Sequence, residues 1–433
     1  MIVERCARWM IINYKCQNGK LELKFTPEKD DPKIQQIFNT TFKKNTRIGM
    51  VSNQCKIHLP SDWTIDAVHP DVFALAMIAA IYPFIGTKIR LPRGVSRIFH
   101  NQVMQVTNKK VLPINENLTP RKAPSNAVPA LTYSGGIDST AAAILLPKNT
   151  HLFYFDRIVP AGVKTLLDQD AAYYACNSIA KTGRTVHKIK TDMQYLRKPV
   201  GFNSYLADAV PALLLADYYG LDTIGHGQTL EIGYQIGHLG FKDCKETEVG
   251  HPWHKLLKTI DMPYTLPTIG LSEVSTTRIV NKSPFREFAQ ACSRGKIKKP
   301  CMNCFKCFRK SLLDKVIINQ SLTDNYLNKL FSIKDARNVL NAPRPVYFSS
   351  ILAYITAHYN GHHKKMQLLK EVTRGDTLEV DWMNKWYAKS QEFIAPKYRN
   401  RVKKEILKYA EPMNTKDVRT MTNSFSEAYF NRR

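Results

Sequence analysis

The sequence predicts an α/β protein built on a doubly wound parallel sheet, with a small mixed α/β region before it and a helical region after it. Three observations lead there. From Pro129 short apolar runs alternate with helical stretches, the order expected of a parallel sheet covered on both faces. The turn Ser134-Gly135-Gly136-Ile137-Asp138-Ser139 sits between the first such run and the first such helix. Beyond residue 311 the pattern is mainly helical, with no internal repeat.

Residues 1–125 are expected to form the N-terminal mixed α/β domain. Gly19–Phe25 alternates Leu21, Leu23, Phe25, a strand pattern. His69-Pro70-Asp71 opens a helix that runs to about Ile81, with proline early in its first turn. Thr87–Leu91 is a second strand, and the Pro- and Asn-rich Leu112–Val128 is expected as a linker. A central domain is expected over 126–315. Its strands are Ala130–Tyr133, Leu152–Phe155, Val186–Ile189 and Leu221–Gly225. Its helices are 139–146, a long one over 161–182, and 208–219, the last ended by Gly220. The basic C-terminal region, 316–433, is expected as helices. Lys397–Lys408 is its densest part, with six basic residues against Glu405, and is expected as a solvated helix face rather than a polyanion site.

Composition narrows the function classes. The chain has 433 residues, 44% hydrophobic and 23% charged, an ordinary globular balance. Its formal charge of +27 favours polyanionic ligands, or else a solvated basic surface. Glu4, Arg5 and Arg8 interrupt the stretch where a secretory signal would need an apolar run. The longest apolar run, Val72–Ile85, contains Pro83 and is short for a bilayer, so a buried helix is expected and no membrane partner. Nine cysteines without an export signal point to a reducing, cytoplasmic setting, where clustered cysteines are more often metal ligands than disulfides.

Two clusters carry chemistry. In Ser134–Ser139 the glycines let the backbone turn sharply and approach a ligand closely. The freed N–H groups and the start of the next helix make an anion-binding nest. Ser134 and Ser139 offer hydroxyl donors, and Asp138 a carboxylate that can hold a metal near phosphates. The Gly-Lys-[Ser/Thr] ending of a Walker loop is absent. Cys292, Cys301, Cys304 and Cys307 have the spacing C-x8-C-x2-C-x2-C. This suits a closed tetrahedral zinc site, with an iron–sulfur cluster or free thiols as the alternatives. Cys6, Cys16, Cys55, Cys176 and Cys244 are scattered and expected to be buried or incidental. Residues 281–310 hold nine Lys or Arg against Glu287, a local charge of +8.

The loop resembles the SGG-x-DS loop of the ATP-pyrophosphatase superfamily, the PP-loop enzymes. With the four cysteines it resembles 7-cyano-7-deazaguanine synthase, over about residues 129–315. Phe155-Asp156 matches that family's Phe-Asp, and Ala209–Gly225 matches its helix–strand block. The resemblance implies a PP-loop (HUP-type) fold binding ATP with Mg2+ through Ser134, Gly135, Gly136, Ile137, Asp138 and Ser139, with Asp156 near the adenosine. It implies catalytic roles for Asp138 and Ser139, and Zn2+ on the four cysteines. A carboxylate attacks the α-phosphorus, pyrophosphate leaves, and an amine or ammonia displaces AMP to give an amide, a nitrile or a conjugate on a macromolecule. The chain also departs from the family. Arg157-Ile158-Val159 replaces Tyr-Gly-Gln, Gly225–Glu231 replaces a polar Asn/Asp motif, and Lys310 stands where an Arg is usual.

His226, Gln228 and Glu231 follow the fourth strand, where a substrate would lie, or else form a locally bonded polar loop. His251 and His254 are expected in surface or packing roles. Lys164 and Arg157 could meet phosphates or a carboxylate. Partners are expected to be ATP and a small carboxylate, with a nucleic-acid or protein acceptor in view; the oligomeric state is open, a homodimer included. Two other functions stay open: an RNA-modifying PP-loop enzyme, and a non-catalytic nucleotide-binding component of a multi-protein system.

Overall fold

A computed structural model describes residues 9–425 apart from Asp30 and His238. Glu4, Arg5, Cys6 and Arg8 lie outside the described residues. The frame is a nine-stranded sheet, mostly parallel. Its strands are β1 (Met10–Gln17), β2 (Lys20–Thr26), β5 (Gln54–His58), β6 (Lys88–Val95), β7 (Lys110–Ile114), β8 (Val128–Thr132), β9 (His151–Arg157), β10 (Val186–Thr191) and β12 (Leu221–His226). They lie in the order β12-β8-β9-β10-β5-β2-β1-β6-β7. A small second sheet joins β3 (Ile34–Asn39), β4 (Lys44–Met50) and β11 (Arg197–Lys198).

Two parallel sets, β12-β8-β9-β10 and β1-β6-β7, are bridged by antiparallel β5 and β2. The bridge is one register pair, Thr191 with Ile57, backed by the Lys56 N–H donating to Asp192 Oδ1 at 2.7 Å. One sheet therefore runs through the boundary expected at residue 125. The stretch expected as a linker is pinned as well. Buried Arg121 donates to Asp217 at 2.6 Å and to the carbonyl of Leu221 at 2.7 Å.

α1 (Pro70–Ile81) forms as expected, with the His69 ring accepting the Asp71 N–H as its cap. It is apolar nearly all round because it is buried on every side, against α5 (Val210–Leu214) and β6. α2 (Arg97–Thr107) packs beside β7, and α3 (Ile137–Leu145) starts directly after the Ser/Gly turn. The long helix expected over 161–182 is shorter. α4 spans Asp170–Ala180, because Gly162 takes φ +79 and the Asp168 carboxylate caps the Asp170 N–H at 3.0 Å. The helix expected over 208–219 shrinks to α5, with turns on both sides.

After β12 come α6 (Leu230–Gly233), α7 (Trp253–Thr259), α8 (Glu273–Asn281) and α9 (Phe305–Ile317). The C-terminal region is helical, as expected: α10 (Asp324–Phe331), α11 (Lys334–Leu340), α12 (Ser349–Ala357), α13 (Lys364–Thr373), α14 (Pro396–Ile406) and α15 (Thr415–Asn423). Among the described residues no helix is long and apolar enough to cross a membrane.

Candidate functional site

In the central set the chain runs outward from β8 to β9 to β10, then returns to place β12 on the other side of β8. Open α/β sheets bind ligands at such a reversal, beyond the strands' carboxyl ends. The carboxyl end of β8 leads into Ser134–Ser139, and that of β12 into Gly227-Gln228. Between them opens a cleft lined by Ser134, Gly136, Asp138, Phe155, His226 and Gln228.

The loop owes its shape to contacts only glycine permits. Gly135 has φ +74, and a Cβ there would lie 2.8 Å from the Ala175 Cβ on α4. Across the cleft floor, a Cβ on Gly227 would lie 2.5 Å from both N and Cα of Ser139. The turn after β12 thus packs backbone to backbone on the first turn of α3. The Ser134 and Ser139 hydroxyls are 3.1 Å apart, and the Ser139 hydroxyl donates to the Gly136 carbonyl at 3.1 Å. The Gln290 N–H donates to the Gly135 carbonyl at 2.7 Å, tying the cysteine-bearing segment to the loop.

Charge beside the loop comes from α8 and α9. Asp138 accepts from the Thr276 hydroxyl at 2.7 Å and from Lys310 Nζ at 3.1 and 3.2 Å. Lys310 also lies 3.4 Å from Glu273, which receives a bidentate pair from Arg309 at 2.9 and 2.8 Å. Burial alone would raise the Glu273 carboxyl, but Arg309 and then Lys310 outweigh it and hold it at about 2. Glu231 lies beneath, fully buried. It accepts the Glu273 N–H at 3.1 Å on one oxygen, while the other has no partner. Burial first, then the Glu273 charge, raises its carboxyl to about 8.

The four cysteine sulfurs lie within 4.8 Å of one another. Sulfurs at about 2.3 Å from a tetrahedral zinc would be about 3.8 Å apart. The Cys301–Cys304 and Cys301–Cys307 separations are 3.8 and 3.7 Å, so the set fits a four-thiolate metal ion such as zinc. Backbone N–H groups of Arg294, Cys301 and Cys307 point at the sulfurs, as expected around thiolates. Cys304 also caps α9. The cysteine cluster therefore sets the start of the helix that delivers Lys306, Arg309 and Lys310.

With this geometry in view, comparison with known proteins yields one match. A family of unknown function (DUF6395) covers residues 252–424. No curated protein and no solved structure matches the chain. The matched stretch begins just before α7 and takes in the four cysteines, α8, α9 and the C-terminal helices. The Ser/Gly loop lies outside it.

The residues expected from the sequence are partly brought together. Ser134, Gly136, Asp138, Ser139, His226, Gln228 and Arg157 line the cleft. Arg157 donates to Gln194 at 2.6 Å and leans over Phe155 and Phe202. His226 Nδ1 is 3.0 Å from the Thr132 hydroxyl and 3.5 Å from Asp208, while its buried Nε2 has no partner. Asp156 is not brought to the cleft. Strand alternation turns it to α4, where both its oxygens accept from the Tyr173 hydroxyl at 2.8 Å. Glu231 lies beneath the cleft, locked to the backbone of α8. Lys164 sits on the exposed loop before α4. His254 bonds the Gly250 carbonyl at 3.0 Å and packs on Phe393, and among the described residues it joins no metal-ligand group. Glu273, Thr276, Arg309 and Lys306 carry no sequence expectation. One signal was available: Lys306, Arg309 and Lys310 recur at i, i+3, i+4 and so share a helix face.

Proposed function

We propose that this chain is an ATP-dependent enzyme of the PP-loop type, similar to 7-cyano-7-deazaguanine synthase, that activates a carboxylate by adenylation. The carboxylate oxygen bonds to the α-phosphorus as the bond to the bridging α–β oxygen breaks, and pyrophosphate leaves. An amine nitrogen then bonds to the acyl carbon and AMP leaves.

One observation carries the reading. The Ser134–Ser139 motif occupies the strand–turn–helix at the sheet's reversal point, with an open cleft beside it. Backbone N–H groups at the start of α3 and the paired hydroxyls suit a phosphate chain, and fixed donors suit the charge that grows on departing pyrophosphate. Mg2+ would arrive with ATP. Asp138 is the carboxylate the loop offers it, and Thr276 and Lys310 hold that carboxylate in position. Cys292, Cys301, Cys304 and Cys307 would hold a metal ion through four thiolates, and it would supply structure rather than a reacting group.

A second reading, adenylation of an RNA base, is favoured by one observation. A groove lined by Arg286, Lys296 and Lys298 shares Gln290 and Cys292 with the cavity behind the glycine loop. Transfer-RNA binding that weakens steeply with salt would favour it. The test of the first reading is ATP–pyrophosphate exchange, with acids recovered from the purified protein by mass spectrometry supplied one at a time. Acid-dependent exchange that disappears in Ser139→Ala is expected. Exchange that needs no acid and survives that change would count against it.

A further inference from the structure

Lys306 lies inside the Cys304–Cys307 step, in the first turn of α9. It borders three spaces at once. With Ser134, Gly136 and Asp138 it lines the main cleft; with Gln169 and Gln290 it lines the cavity behind the glycine loop. With Gly227, Gln228 and Phe348 it lines a chamber on the far side of Asp138.

Its two cationic neighbours are committed elsewhere. Lys310 is held by Asp138 and Glu273, and Arg309 is spent on the buried Glu273. Asp138 and Glu273 pair with Lys310 and Arg309, and among the described residues no carboxylate lies within ion-pair distance of Lys306. A cation at a junction of cavities, beside the glycine loop and the first turn of α3, is available to a ligand in a way its neighbours are not.

We propose that Lys306 is the cation that grips the triphosphate of ATP, and that the cysteines on either side of it hold it in place. The inference rests on the ATP reading above. The flexible stem brings a compact charge to the phosphates as a point contact, while the loop N–H groups set their orientation. Because α9 starts at Cys304, the ammonium is already in position when ATP enters, and the bond-breaking step needs little reorganisation. Lys310 then acts on the nucleotide only through Asp138, which makes it a positioning residue.

Calorimetric titration of the zinc-loaded full chain with Mg2+ and α,β-methylene-ATP, and separately with AMP, tests this. Lys306→Met is expected to weaken the analogue by about tenfold or more, the scale of losing a charge-assisted bond, and to leave AMP unchanged. Lys306→Arg should restore most of the loss, and zinc content should match wild type throughout. Should Lys306→Met lose zinc, Lys306→Gln, which keeps a polar side chain of similar reach, gives the same comparison. Unchanged affinity for the analogue in a zinc-replete variant overturns the role of Lys306 and leaves the ATP reading standing, as does equal loss of AMP and analogue. A wild-type chain that binds neither nucleotide overturns both.

Discussion

Glu231 offers a measurable consequence of the buried charge network. Its carboxyl sits at about 8 against an ordinary 4.5, while that of Glu273 sits at about 2. Between about pH 4.5 and 8 the folded chain therefore holds a proton on Glu231 that the unfolded chain has released. Stability from this group is complete below 4.5 and falls by about 1.4 kcal/mol per pH unit until the proton is lost near 8. Glu273 acts in the opposite sense and in another window: its contribution is present above 4.5 and is lost as pH falls toward 2. Glu231→Gln keeps the shape, replaces the carboxyl with a neutral amide and removes the first slope. Urea unfolding at constant ionic strength should show the variant gaining on wild type by about 3 kcal/mol from pH 5.5 to 7.5. Parallel curves for the two proteins over that range would refute the buried, protonated Glu231.

Arg309→Met strands the Glu273 carboxylate and should cost about 3–5 kcal/mol in urea unfolding, part of it recovered in the double variant with Glu273→Gln. Gly227→Ala forces a Cβ to within 2.5 Å of the Ser139 backbone, so a fluorescent ATP analogue should bind at least about tenfold more weakly with the circular dichroism spectrum retained. Cys304→Ser removes a candidate metal ligand while leaving a hydroxyl that can still cap α9, so elemental analysis should find zinc below half-occupancy and calorimetry a melting temperature lowered through the metal.

The parts of the fold legible in the sequence are those where local chemistry is decisive. β8, β9 and β12 are short, deeply buried apolar runs, and a Ser/Gly turn between a strand and a helix announces itself. The cysteine spacing is equally local. What could not be read depends on distant pairing. β3 and β4 are short and broken by polar residues, such as Gln35-Gln36 and Lys44-Asn45, so their few β-formers give only a faint strand pattern. β5 joins the two parallel sets through a partner more than a hundred residues away. At the site, proximity to a motif was a poor guide to role. Asp156 follows Phe155 by one residue, yet strand alternation sends it to the opposite face. Glu231 follows the β12 turn, yet it is drawn under α8. Lys306 lies within the Cys304–Cys307 spacing, where the metal-ligand pattern of the cysteines dominates the local sequence.

On the proposed reading, this loop serves α–β cleavage of ATP. That cleavage is tested most directly by incubating α-labelled ATP with the zinc-loaded protein and the low-molecular-mass fraction of a cell extract, then separating the nucleotides by chromatography. Label appearing as AMP or an acyl-adenylate, with pyrophosphate in equal amount, and both lost in Asp138→Asn, is the predicted result. Label accumulating as ADP would contradict the account.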